Sequence, residues 1–171
     1  VRTVFNMLGP LTNPAGADRQ LLGIYDRNKT ETIANVLKEL GSKRALVVTS
    51  LEGLDEISIS GPTQISELRH GEVRTYQIHP HDLGLDVHPL EAVLGGDAVQ
   101  NAAIIRSVLA GEKSPYRDIV LANAGACIYV AGLADSIAEG VQAAARAIDN
   151  GSASAKLEQL IQMTGELSYV S

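Results

Sequence analysis

The sequence predicts an α/β protein, a central mixed sheet flanked by helices. Three observations carry that reading. The order strand, helix, strand is written into "RQLLGIYD", "KTETIANVLKELG" and "RALVVTS". A β-branched, alternating stretch with turn signals at Gly61-Pro62 and His70-Gly71 follows it. From Asp97 onward the chain reads as one helix after another.

The elements follow in order. Val4, Phe5, Met7 and Leu8 fall within two turns, so residues 2–9 predict a short helix stopped by Gly9-Pro10. "LTNPAGAD" is a loop by composition, and "RQLLGIYD" an apolar run that reads as a buried strand. Asp26 and Asn28 can start the next helix, which carries Ile33, Val36, Leu37 and Leu40 at helical spacing and ends at Gly41. "RALVVTS" is continuously apolar after that helix, as a parallel strand buried on both faces is. "ISISGPTQISELRHGEVRTYQIHP" predicts two or three antiparallel strands with a hairpin at "RHGE", and "HDLGLDVHPLEAVLGG" predicts irregular chain.

Four helices complete the reading. Asp97 caps the first, with an apolar stripe of Val99, Ala102, Ala103, Ile105 and Leu109. Ser114-Pro115 opens a second, "SPYRDIVLANAGACIYVAGL", whose small and apolar middle predicts burial on all sides. "ADSIAEGVQAAARAIDNG" is amphipathic and ends at Asn150-Gly151. In the last, "SASAKLEQLIQMTGEL", the spacing turns Leu157, Leu160, Ile161 and Met163 inward.

Composition narrows the function classes. A 171-residue chain that is 45% hydrophobic is long enough for one domain with a sizeable core. Its net charge of −6 argues against a general nucleic-acid surface. No apolar run is long enough to span a bilayer, no signal-peptide layout opens the chain, and the single cysteine permits no internal disulfide. These features predict a cytoplasmic protein without a membrane partner. Cys127, set among small residues, reads as a buried core thiol.

Few residues stand out chemically. Asp55-Glu56 lies in "LEGLDEIS", the loop leaving the second parallel strand. Ligand chemistry in α/β proteins gathers at such carboxyl ends, and two carboxylates there can hold a hard ion such as Mg2+. The same pair also suits a general base, a sugar-hydroxyl acceptor or two solvated acids. Arg2 could clasp a carboxylate through parallel hydrogen bonds or be a solvated cation. His79, His81 and His88, with Asp82 and Asp86, are close enough in sequence for a metal site, although Pro80 separates the first two and no cysteine ligand is near. His70 reads as an exposed turn residue. Asn123 is a polar residue in an apolar helix, placed to bond a neighbouring loop. Walker, GxGxxG, GxSxG and HExxH motifs are absent.

Three stretches taken together have a further meaning. "RTVFNMLGPLTNPAGADRQLLG", "GLDEIS" and "LANAGACIYVAGLADSIAEGV" occur in the order found in anthranilate phosphoribosyltransferases of tryptophan biosynthesis, and the chain resembles that family over essentially its whole length. The thymidine phosphorylase group, which shares the fold, is less similar at "LGPLTNP".

The resemblance implies a phosphoribosyltransferase/nucleoside-phosphorylase-like sheet. It implies transfer of the phosphoribosyl group of phosphoribosyl pyrophosphate to anthranilate, with Mg2+ on Asp55 and Glu56 and the anthranilate carboxylate on Arg2. It divides the chain into residues 1–16, a hinge and helix of a small helical domain, and 17–171, the C-terminal part of the α/β domain.

Family members also carry a Gly-rich "GTGGD" loop and Asn, Ser/Thr and Lys residues on the phosphates. None of these is in the sequence, so the resemblance places them, and most of the helical domain, upstream of Val1. The 171 residues alone are then expected to be inactive and to need that N-terminal half. The alternatives are a non-catalytic module completed by a partner and a pyrimidine nucleoside phosphorylase. The family implies a homodimer, in some members fused to or paired with a glutaminase component.

Overall fold

The computed structural model describes residues 11–12 and 16–167. The helix expected over residues 2–9, the hinge assigned to 1–16 in all but three positions, and Arg2 lie outside the described residues.

The mixed sheet is present. Strands β1 (Arg19–Gly23), β2 (Arg44–Ser50), β3 (Thr63–Arg69) and β4 (Glu72–Ile78) lie in that spatial order. β1 and β2 pair parallel with Gly23 opposite Val48, and the remaining pairs are antiparallel. Helix α1 (Thr30–Glu39) makes the β1–β2 connection, as a parallel pair requires. His70 and Gly71, with φ of 53° and 78°, make the β3–β4 turn, the two-residue form whose twist suits a hairpin.

Strand β2 is buried on both faces. Leu46 and Val48 point into a core formed with the later helices, while Ala45 and Val47 pack with Ile33, Ala34 and Leu37 of α1. A one-residue slip would exchange those two sets, so the pleat fixes the register. Leu40 closes α1 and is exposed, contrary to the expected stripe.

Helices α2 (Ala98–Leu109), α3 (Pro115–Ala131), α4 (Ile137–Asp149) and α5 (Ser152–Leu167) follow. Asp97 and Gln100 form a reciprocal cap on α2, and Ser114 and Ser136 cap α3 and α4 by accepting from the backbone N–H of Arg117 and Glu139. α3 packs on β1 and β2 and most extensively on α4. That contact depends on two glycines. A Cβ on Gly140 would stand 2.1 Å from the Gly125 carbonyl oxygen, and one on Gly125 would stand 2.5 Å from the Val141 nitrogen. Buried Arg117 donates from Nη2 to Asp149 Oδ1 at 2.8 Å, joining the start of α3 to the end of α4.

Three expected burials are corrected. On α2, Val99 is 79% and Ile105 51% exposed, while Ile104, Val108 and Leu109 face the core. On α5, Leu160, Ile161 and Met163 are exposed, and Ala153 in the first turn meets the core. Both helices carry apolar residues on more than one side, so periodicity alone does not choose the face. Cys127 is exposed, seven residues and so two turns on from exposed Val120 on the same side of α3.

Candidate functional site

The site builds from the carboxyl ends of β1 and β2. The ladder extends one residue past Gly23, where Ile24 N–H donates to the Val48 carbonyl at 2.9 Å. β2 runs on to Ser50 and there turns back. Ser50 N–H donates to the Leu54 carbonyl, and Leu54 N–H to Ser50 Oγ, each at 2.9 Å. This turn carries Asp55 over the end of β1, so closely that a Cβ on Gly23 would lie 1.5 Å from the Asp55 carbonyl oxygen. Glycine is the residue that leaves this space open.

Past Asp55 the chain dives inward. Ile57, Ser58 and Ile59 are buried, Glu56 is half-buried and Asp55 is exposed. Asn123 of α3 holds this descent by both backbone groups of Ile57. Its Oδ1 accepts from Ile57 N–H at 2.9 Å, and its Nδ2 donates to the Ile57 carbonyl at 2.9 Å. The same Nδ2 lies 3.0 Å from the Ile119 carbonyl and 3.4 Å from Glu56 Oε2.

The loop then closes on itself. Ser58 N–H donates to Thr63 Oγ1 at 3.0 Å, and Ser58 Oγ donates to Glu52 Oε2 at 3.2 Å. Ser60 Oγ also donates to Glu52. Beyond it, His88 N–H donates to the Ile59 carbonyl, and its Nε2 lies 3.0 Å from Asp118 Oδ2 on α3.

Electrostatics follow from this depth. Burial first, and the neighbouring Asp55 charge second, push the Glu56 carboxyl above its ordinary value. A cation beside the pair would offset both effects. The donor chemistry suits Mg2+, which binds through one or two carboxylates and completes its shell with water and phosphate oxygens. Among the described residues no group of three or more His, Cys, Asp or Glu side chains could hold a metal by itself. Waters and a phosphate-bearing ligand would complete the shell.

Among the described residues the histidines and neighbouring aspartates do not gather into a group that could hold a metal. The rings of His79 and His81 lie 5.1 Å apart, Asp82 caps the chain by accepting from His79 N–H at 2.7 Å, and His88 turns to Asp118. His70 sits exposed in its turn, as expected. Asn123 was visible in the sequence as a polar break, and the structure supplies its target. Gly23 was missed, although a glycine at the end of an apolar strand is the signal of a close backbone approach.

Comparisons with known proteins bear on this geometry. Residues 1–154 match the glycosyl transferase family, a/b domain. An anthranilate phosphoribosyltransferase of Rhodopseudomonas palustris (strain BisB5) is 50% identical over 163 residues, covering 95% of this chain and 48% of that protein. The crystal structure of the anthranilate phosphoribosyltransferase of Thermus thermophilus superposes with a TM-score of 0.86 at 44% identity, covering 93% of this chain and 47% of that one. The Saccharomyces cerevisiae counterpart in complex with PRPP and Mg gives 0.88 at 28% identity, covering 97% and 48%. The chain spans about half the length of the curated relatives it matches. Among the described residues no helix is long and apolar enough to cross a membrane.

Proposed function

The chain belongs to the glycosyl transferase family, a/b domain, and on that premise we propose that it supplies the metal-binding side of an anthranilate phosphoribosyltransferase active site. The observation that carries the reading is the position of Asp55 and Glu56. Both follow a parallel strand at its carboxyl end, in a loop fixed from below by Gly23 and from the side by Asn123. A divalent cation is held by one or two carboxylates with waters and phosphate oxygens, and two neighbouring carboxylates close enough for the Asp55 charge to act on Glu56 support that reading.

In the reaction proposed, the amine nitrogen of anthranilate forms a bond to C1 of the ribose. The bond from C1 to the pyrophosphate oxygen breaks, its electron pair leaves with pyrophosphate, and the amine proton passes to solvent. Mg2+, when bound, supplies positive charge opposite the departing pyrophosphate. Asp55 and Glu56 would hold that ion. Arg2 would orient anthranilate by two parallel hydrogen bonds to its carboxylate. Much of the catalysis is then positioning, because holding both partners in line removes the entropy cost of their meeting.

The test joins the chain to the N-terminal half of the Thermus thermophilus relative and follows anthranilate consumption with phosphoribosyl pyrophosphate. Mg2+-dependent turnover supports the reading. Arg2→Ala should raise the KM for anthranilate selectively, and an unchanged KM removes Arg2 from the site. Phosphorolysis of a pyrimidine nucleoside in place of anthranilate consumption would assign the chain to the phosphorylase branch.

A further inference from the structure

We infer that Asn123 is a positioning residue for the acidic pair: it holds Ile57 by both backbone groups, and so fixes the backbone from which Glu56 projects beside Asp55. The inference rests on the reading of Asp55 and Glu56 as metal ligands.

The geometry is specific. Ile57 N–H belongs to the peptide plane that begins at the Glu56 carbonyl, so the 2.9 Å bond to Asn123 Oδ1 fixes the orientation of that plane. The 2.9 Å bond from Nδ2 to the Ile57 carbonyl fixes the next one. The loop is thus paired with a side chain as a strand is paired with its neighbour. Nδ2 spends its two N–H groups on the Ile57 and Ile119 carbonyls, at 2.9 and 3.0 Å, and Glu56 Oε2, at 3.4 Å, shares one of them only weakly, so the hold on Glu56 runs through the backbone and leaves its oxygens free for a cation. An amide is the group this arrangement requires, because it must accept and donate at one site. Leucine could do neither, and aspartate could not donate.

Asn123 is itself seated by packing. It lies two residues before Gly125, where α3 meets the Gly140 backbone of α4. That contact anchors the helix from the side opposite the loop, so Asn123 transfers the rigidity of the α3–α4 pair to the acidic loop. Satisfying a polar group in an apolar helix would need only the bond to the Ile119 carbonyl one turn back; the two bonds to Ile57 go beyond it. Residues that orient metal ligands from behind change metal affinity by about 10-fold to 100-fold when removed.

The experiment uses the chain joined to the N-terminal half of the Thermus thermophilus relative, with Mn2+ in the presence of phosphoribosyl pyrophosphate as the probe, titrated by water-proton relaxation, together with amide hydrogen exchange at Ile57. Asn123→Ala should weaken Mn2+ binding by about tenfold and accelerate exchange of the Ile57 amide by about tenfold or more. Val120→Ala, on the exposed side of the same helix, should leave both within about twofold. Asn123→Gln keeps the amide chemistry but moves it outward by one methylene, and should show the same loss of Mn2+ affinity. If Asn123→Ala does not fold, Asn123→Gln carries the test.

A folded Asn123 variant that binds Mn2+ within about twofold of wild type overturns the inference. Faster exchange with unchanged Mn2+ affinity reduces Asn123 to a structural clasp, and overturns it as well. Equal Mn2+ binding by wild type and Asp55→Asn/Glu56→Gln contradicts the metal reading itself, and the inference falls with it.

Discussion

The Asp55 carbonyl oxygen fills the space beside Gly23, only 1.5 Å from where a Cβ would stand. Gly23→Ala therefore forces either β1 or the acidic loop to move. Overpacking at a backbone contact should cost about 3 kcal/mol, at the upper end of the usual range. Urea denaturation measures the cost. Mn2+ titration of the folded fraction should show weaker binding, because the displaced segment carries both carboxylates.

The α3–α4 notch predicts a second loss. Gly125→Ala and Gly140→Ala should each destabilise by about 2 kcal/mol. The two meet at one contact, with a Cβ on Gly140 facing the Gly125 carbonyl at 2.1 Å. The double variant should therefore lose less than the sum, since the first substitution already separates the helices. Thermal denaturation of the cycle tests this.

Arg117 is 1% exposed and depends on Asp149 for its ion pair, with Nη1 left without a partner among the described residues. Asp149→Ala leaves that guanidinium charged and buried, at a cost of about 3 kcal/mol. Replacing both, as Arg117→Met with Asp149→Asn, should recover much of the loss. Equal destabilisation by the single and double variants would contradict the pairing.

Glu56 gives a pH signature. Its carboxyl titrates above the ordinary 4.5, chiefly through burial and then through Asp55. The folded state therefore holds the proton more tightly than the unfolded chain does. The stabilisation from the protonated form is complete below the ordinary value and is lost as pH rises through the raised folded value. In the absence of metal, Glu56→Gln should raise the Tm at pH 7 and lose that advantage near pH 4. The opposite pH dependence would contradict the assignment.

How much of this was legible depended on distance along the chain. The β1–α1–β2 unit and the hairpin at His70-Gly71 are local patterns, and strand, helix and turn signals name them in sequence order. The placement of Asp55-Glu56 after β2 followed from the same local reading. The clasp did not, because Asn123 and Ile57 are separated by 66 residues and neither residue type announces its partner. Gly23 carries no side chain to signal what approaches it. The faces of α2 and α5 were misjudged because both are apolar on several sides, and Cys127 because small residues around a helix look alike whether or not they are covered.

The proposed function requires Asp55 and Glu56 to hold the divalent cation on which phosphoribosyl transfer depends. It is tested most directly by anthranilate consumption as a function of Mg2+ concentration, in the chain joined to the remaining half of a relative. Turnover should require Mg2+ and fall by about 100-fold or more in Asp55→Asn/Glu56→Gln, on the scale of lost electrostatic stabilisation in an active site. Mg2+-dependent turnover that survives the double substitution within a few-fold would place the metal elsewhere and contradict the proposed role of the two carboxylates.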